Sequence, residues 1–135
     1  MTAAMRAYRD GGAIPRGQLA WLTVALRDIQ VRDDAWCRLG TAPVEGELRL
    51  LIDLTRLARR GYAAPPAALL SYAAWQAGNG ALANVALDRA LADNPGYSLA
   101  DMLAQAIRNG LDPSKLRKVL MTPEMLAEEY ARRRG

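Results

Sequence analysis

The chain has 135 residues, of which 51% are hydrophobic and 24% are charged, with a formal net charge of +4. These values are typical of one globular domain with a buried core, and they exclude a disordered tail. The chain contains no His and a single Cys, which excludes a Ser-His-Asp triad, a Cys-His nucleophile pair and a metal site built on His or on several Cys.

The composition favours an all-helical chain. The sequence contains 26 Ala and 20 Leu but only 14 Val, Ile and Thr together. Ala and Leu are strong helix formers, whereas β-branched side chains favour strands. No segment alternates apolar and polar residues for long enough to predict a strand. We therefore expect an all-α fold, a single-domain bundle of about eight or nine short helices.

Gly and Pro residues divide the chain into segments of helical length. The predicted helices, in chain order, cover residues 3–10, 16–29, 31–39, 44–60, 65–77, 80–93, 97–109, 113–120 and 123–133. We assign all of them to one domain, residues 1–135. Within it we distinguish N-terminal helices (1–40), core helices (44–110) and C-terminal helices (111–135).

Two of these segments differ in how much of their surface is apolar. The segment Ala67–Ala77 is apolar on nearly every side, which predicts a helix in the middle of the bundle. The segment 44–60 is amphipathic and has an apolar stripe that includes Leu50, Leu51 and Leu54. We expect its opposite face to be in water, with Arg49 and Asp53 at pairing distance. That face consists of Glu47, Arg49, Asp53, Arg56 and Arg60.

The region 65–95 resembles one tetratricopeptide unit, a helix–turn–helix repeat. Ala83 and Ala90 supply small side chains on the second helix, Leu87 lies between them and Pro95 follows its end. Small residues at these positions allow the two helices to approach closely. A plain antiparallel helix hairpin explains the same pattern equally well, and no second copy follows in the chain.

Three runs of sequence resemble the C-terminal helical half of an actinobacterial family that is catalogued as a domain of unknown function. They are DIQVRDDAW (Asp28–Trp36), YAAPPAALLSYAAWQAGNGALANVALDRALADNPGYS (Tyr62–Ser98) and MTPEMLAEEY (Met121–Tyr130). In that family a preceding half with an α/β pattern is usual. The resemblance implies a cytoplasmic bacterial protein and supplies no mechanism.

The first candidate interaction site comprises Arg32, Asp33 and Trp36. Arg offers a bidentate fork to a ligand and Trp offers a stacking face. The alternative, which we favour, is structural: Asp33 and Asp34 lie in the first turn of a helix, where they complement the macrodipole, and Trp36 packs inward.

The second candidate interaction site comprises Asn84, Asp88 and Arg89, the polar residues of an otherwise apolar segment. Asn84 and Asp88 are four residues apart and share a helix face. In helical-repeat scaffolds such a face lines a groove that binds a peptide. The alternative is a solvated stripe, or an ion pair between Asp88 and a neighbouring Arg.

The remaining aromatic side chains and the basic C-terminal run have structural interpretations. We expect the aromatic residues to lie in the core because their neighbours are apolar; they are Trp21, Tyr72, Trp75 and Tyr97. We expect the run 132–134, which is Arg-Arg-Arg, to be a frayed basic helix end.

The function we expect is a non-enzymatic helical protein-interaction module. It would pack against the preceding half of its own family or against a second copy of itself. The alternative is a nucleic-acid-binding domain that uses dispersed Arg, and an enzyme of unknown class is third. The 16 Arg residues are interleaved with acids, so we do not expect nucleic acid as a partner. No residue pattern indicates catalytic residues, a cofactor or a metal.

The sequence also bears on where the protein resides. No segment reaches the ~18 consecutive apolar residues that a membrane span needs, and the first ten residues lack the apolar region of a secretory signal. Cys37 has no second Cys with which to form a disulfide. We therefore expect a cytoplasmic protein without a membrane partner.

Overall fold

The computed structural model describes residues 2–39, 44–119 and 122–134, which form helices joined by short turns. In chain order the helices are α1 (Thr2–Arg9), α2 (Arg16–Ala25), α3 (Ile29–Arg38), α4 (Val44–Leu57), α5 (Ala64–Gln76), α6 (Gly80–Asp93), α7 (Ser98–Arg108), α8 (Pro113–Val119) and α9 (Pro123–Arg134). The all-α prediction is confirmed, since these described segments contain nine helices and no strand. The predicted break at residues 40–43 lies outside the described residues.

Helix α5 lies at the centre of the core, as the apolar segment Ala67–Ala77 predicts. Every residue from Ala64 to Ala74 is buried, and α5 packs against α4, α6, α7 and α8. The buried hydroxyl of Ser71 donates a hydrogen bond to the carbonyl of Ala83 in α6 at 2.9 Å. This bond satisfies a polar group that burial would otherwise leave without a partner.

Helices α5 and α6 form a hairpin around a tight turn. Gly78 adopts a φ of 80°, a left-handed conformation that ends α5. The side chain of Asn79 then accepts the backbone N–H of Leu82 at 3.1 Å and caps α6. Ala83 and Ala90 are buried, as close approach of the two helices requires. The likeness of this hairpin to a tetratricopeptide unit stays a prediction.

The open end of this hairpin is closed by Asp93, the last residue of α6. Its carboxylate accepts backbone N–H groups from Gly61 at 2.8 Å and from Ala63 and Ala64, each at 3.2 Å. N–H groups at a helix start have no partner within the helix. Asp93 therefore supplies from α6 the cap that the start of α5 lacks in its own sequence.

The break between α2 and α3 lies earlier than predicted. Helix α2 ends at Ala25, and the side chain of Asp28 accepts two backbone N–H groups at the start of α3. Helix α3 thus begins at Ile29, and Asp33 and Asp34 lie in its second turn. Their predicted place in a first turn, against the macrodipole, is wrong because the polar residues around them do not interrupt the helix.

Helix α1 approaches α4 at a distance that only glycine allows. A Cβ atom at Gly46 would lie 2.8 Å from the Cα of Arg9. Beside this contact, the hydroxyl of Tyr8 donates to Asp53 at 2.7 Å. Arg49 donates to the backbone carbonyl of Tyr8 at 2.5 Å and lies over its ring. Arg49 and Asp53 therefore both bond to Tyr8, in place of the pairing expected between them.

The predicted water-facing side of α4 is wrong at Glu47, which is buried. Glu47 precedes Leu50, Leu51 and Leu54 by three, four and seven residues. These intervals place side chains on one face of a helix, so Glu47 lies on the core face despite its charge.

We expect Gly46→Ala to destabilise the protein by about 1–3 kcal/mol, because the added methyl group meets the backbone of α1. Chemical denaturation measures this change. The matched control is Gly17→Ala in α2, where a Cβ atom meets nothing within 4 Å. There the higher helix propensity of Ala leaves stability unchanged or raises it by up to about 1 kcal/mol. Equal effects at both positions would contradict the close approach.

We expect the stability of the protein to fall at alkaline pH through Tyr8. Burial, together with the hydrogen bond to Asp53, raises the pKa of Tyr8 from 10.0 to about 12. A pKa raised in the folded state favours the neutral phenol, so this contribution is complete below pH 10 and is lost as the pH rises towards 12. The free energy of unfolding, measured across this pH range, should fall less in Tyr8→Phe than in the wild type.

Candidate functional site

Four side chains from separate parts of the chain form a hydrogen-bonded group, the Arg32 cluster, which consists of Arg32, Asp33, Tyr97 and Tyr130. Arg32 donates to one oxygen of Asp33 through two nitrogens, at 3.1 and 2.7 Å. It also donates to the hydroxyl of Tyr97 at 3.2 Å. The hydroxyl of Tyr130 donates to the other oxygen of Asp33 at 2.9 Å. The cluster therefore joins α3 to the start of α7 and to α9.

The Arg32 cluster satisfies its own charges. Burial acts to lower the pKa of Arg32, but the hydrogen bonds to Tyr97 and Asp33 outweigh it and raise the pKa. Burial and the bond to Asp33 raise the pKa of Tyr130. At neutral pH Arg32 therefore stays charged and Tyr130 stays neutral. The guanidinium of Arg32, which we considered as a bidentate donor to a ligand, already donates to Asp33.

Trp36 lies apart from this cluster and packs inward. Its ring meets Tyr72 edge to face, with 5.8 Å between the ring centroids, and Tyr72 meets Trp75 at 6.5 Å. Burial raises the pKa of Tyr72. In the part of the chain that the structure describes, the buried indole nitrogen of Trp36 has no hydrogen-bond partner. This aromatic group is a component of the core, as the structural interpretation of Trp36 expects.

The three residues of the second candidate site do not share one face of α6. Asn84, Asp88 and Arg89 are all exposed, but only Arg89 lines a groove between α4 and α6. Adjacent residues of a helix point about 100° apart, so the side chains of Asp88 and Arg89 lie on different sides of α6. Among the described residues Asp88 forms no ion pair. Binding of a peptide by Asn84 and Asp88 stays a prediction.

The predicted core position of Trp21 is wrong, because 68% of its surface is exposed. Helix α2 buries Leu19 and Leu22. Trp21 follows Leu19 by two residues, which places it on the opposite side of the helix from Leu19. The helical period of the leucines therefore predicts an exposed position for Trp21, whereas the apolar character of Trp predicts a buried one.

Trp21 borders the largest cavity described here, a groove of about 720 Å³ that we call the Trp21 groove. It lies between α2 and the end of α4 with the turn that follows. Its walls are mostly apolar and include Trp21, Ala20, Val24, Leu57 and Tyr62, and Arg16 and Arg59 also line it. Val24 is 55% exposed. The groove thus combines an exposed apolar surface with cationic side chains.

The cations of this groove have no acidic partners within the described residues. Arg16 and Arg59 form no ion pair there. Arg27 places its guanidinium over the ring of Tyr62, 4.8 Å from the centroid. The site can therefore bury apolar side chains and receive carboxylates next to them.

No group of three or more His, Cys, Asp or Glu suited to a metal ion is found among the residues that the structure describes. In the same segments, no helix combines the length and the apolar character that crossing a membrane requires.

Comparison with known proteins identifies a family. The family described as Domain of unknown function (DUF4192) matches residues 1–114, which include α1 to α7 and the whole Trp21 groove. Neither the curated proteins nor the solved structures contain a match. The predicted resemblance to a family of unknown function is confirmed, whereas the actinobacterial origin and the assignment to a C-terminal half stay predictions.

We expect Trp21 to dominate the quenching of tryptophan fluorescence by acrylamide, because the rings of Trp36 and Trp75 pack against Tyr72. Trp21→Phe should remove the red-shifted, readily quenched part of the emission. The control is Trp75→Phe, which should leave that part in place. Unchanged Stern–Volmer quenching in Trp21→Phe would show that this indole is not exposed.

Proposed function

The chain belongs to the family described as Domain of unknown function (DUF4192), and from that premise we propose that it is a non-enzymatic protein-interaction module. In this proposal the Trp21 groove binds a protein segment that carries apolar side chains flanked by carboxylates. The single observation that carries the proposal is the exposure of Trp21 at the edge of an apolar groove.

The exposure of Trp21 supports burial by a partner. A Trp side chain is large and loses little conformational entropy when it is fixed. Trp, Tyr and Arg are the residues that most often supply binding energy at protein interfaces, and Trp21, Tyr62 and Arg59 line the same groove. A partner that covers Trp21 and Val24 removes apolar surface from water and gains its free energy of transfer.

The charges around the groove favour an acidic partner. Arg16, Arg27 and Arg59 lie at this site without an ion pair in the described part of the chain, so each can receive a carboxylate. A second copy of the chain fits less well. A twofold contact places the same surface on both sides, and the arginines of two copies would then repel one another.

The shape and chemistry of the groove favour protein over nucleic acid. Proteins that bind single strands stack successive bases on several aromatic rings. The aromatic rings that line this groove are those of Trp21 and Tyr62, and the ring of Tyr62 is already covered by Arg27. An apolar slot with one free ring suits Leu-like side chains better than a row of bases.

The test uses the full chain and a synthetic helical peptide with Leu on one face and Glu on the other, titrated by isothermal calorimetry, which does not depend on the indole of Trp21. Three probes serve as comparisons: the peptide with Lys in place of Glu, the peptide with Gln in place of Leu, and oligothymidylate. We expect only the Leu–Glu peptide to bind, and we expect added salt to weaken it. Trp21→Ser should lower its affinity by about tenfold or more.

The matched control is Met125→Ser, which removes another exposed apolar side chain from α9 and should leave the affinity unchanged. Both substitutions are at exposed positions, so the fold should persist. Tight binding of oligothymidylate without binding of the Leu–Glu peptide would replace the proposal by nucleic-acid binding. Failure of the Leu–Glu peptide to bind, or binding that Trp21→Ser leaves unchanged, would reject the proposed site.

A further inference from the structure

We propose that the partner of the Trp21 groove continues across α4 into a second groove between α4 and α6, where it places a second apolar side chain. This inference rests on the proposed function, because it concerns the extent of the same binding surface. It also specifies the partner further, as a helix with two apolar anchors and carboxylates between them.

The second groove has a volume of about 360 Å³ and is mostly apolar. The groove is lined by Leu70 of α5, by Ile52 of α4 and by Leu82 and Val85 of α6. Val85 is 65% exposed, although the neighbouring face of α6 is packed against α5. Val85 thus resembles Trp21, since each is an exposed apolar side chain beside an apolar depression.

A shallow groove of about 270 Å³ connects the two. It shares Arg16 and Leu57 with the Trp21 groove, and it shares Arg56 with the groove beside Val85. Helix α4 buries Leu54, whereas Arg56, two residues later, is exposed. Arg56 therefore lies on the outward side of α4, between the two apolar depressions, and the three grooves form one continuous surface.

The charges along this surface repeat the pattern at the Trp21 groove. Arg56 and Arg89 line the second groove, and neither forms an ion pair among the described residues. The acid that lines the shallow groove is Asp53, and its carboxylate accepts the hydroxyl of Tyr8. A partner that crosses α4 therefore meets Arg56 midway, where a carboxylate is the complementary group.

The spacing of the anchors follows from helix packing. The two grooves lie on opposite sides of α4, and a helix with its side chains is about 10–12 Å across, so the anchors are separated by about that distance. A helical partner rises ~1.5 Å per residue. Two apolar side chains that fill both grooves are then about seven residues apart, close to two helical turns, on one face of the partner, with acidic residues between them.

The experiment titrates the full chain with two forms of the Leu–Glu peptide. The two-anchor form carries Leu at both ends of its apolar face, and the one-anchor form carries Gln in place of Leu at one end. We expect the two-anchor form to bind the wild type about tenfold more tightly than the one-anchor form. Val85→Ser should abolish this difference and leave the affinity of the one-anchor form within about twofold.

The matched control is Ala92→Ser, at an exposed position of α6 outside the groove, and it should preserve the full difference. Arg56→Gln should lower the affinity of the two-anchor form and reduce its salt dependence, whereas Arg108→Gln at the end of α7 should not. If Trp21→Ser weakens binding but Val85→Ser does not, the surface ends at the Trp21 groove, and only this inference fails. If neither substitution weakens binding, the proposed function fails as well.

Discussion

A helix that is apolar on every side must be covered on every side, and α5 imposes this requirement on the rest of the protein. Its residues from Ala64 to Ala74 are buried, and many of them are Ala, so the helices around it approach closely. The hydroxyl of Ser71 and the amides of Ala63 and Ala64 are satisfied from α6, by the carbonyl of Ala83 and the carboxylate of Asp93. The helices that cover α5 thereby turn their own outer faces to solvent, and the groove beside Val85 lies between two of them, α4 and α6.

Much of the helical layout could be predicted from the sequence because helix ends are local events. Gly61, Gly78 and Gly110 each adopt a positive φ at or near a predicted helix end, and this conformation depends on the residue itself. The contact made by Asp93 could not be predicted in this way, because its partners lie about thirty positions away in the chain. The hydrogen bond from Tyr130 to Asp33 could not be predicted either, because these residues are also far apart in the chain.

The candidate site was harder to predict than the fold, because residue type and helical position disagreed at the positions that matter. Trp21 is apolar but lies opposite Leu19 and Leu22, and Glu47 is charged but shares a face with Leu50. The sequence likewise does not indicate which arginines are paired. In the sequence they alternate with acids, but folding pairs Arg32 and Arg38 with neighbouring carboxylates and leaves those of the grooves without a partner in the described segments.

The two ends of the α5–α6 hairpin are held by different means, the covalent turn at Gly78 and the three hydrogen bonds of Asp93. First-turn amides of a helix ordinarily exchange their protons through local fraying. At the start of α5, the amides of Ala63 and Ala64 are bound to a residue of another helix, so fraying alone does not free them. Their exchange with solvent therefore requires the carboxylate of Asp93 to move away, and it reports on the contact between the end of α6 and the start of α5.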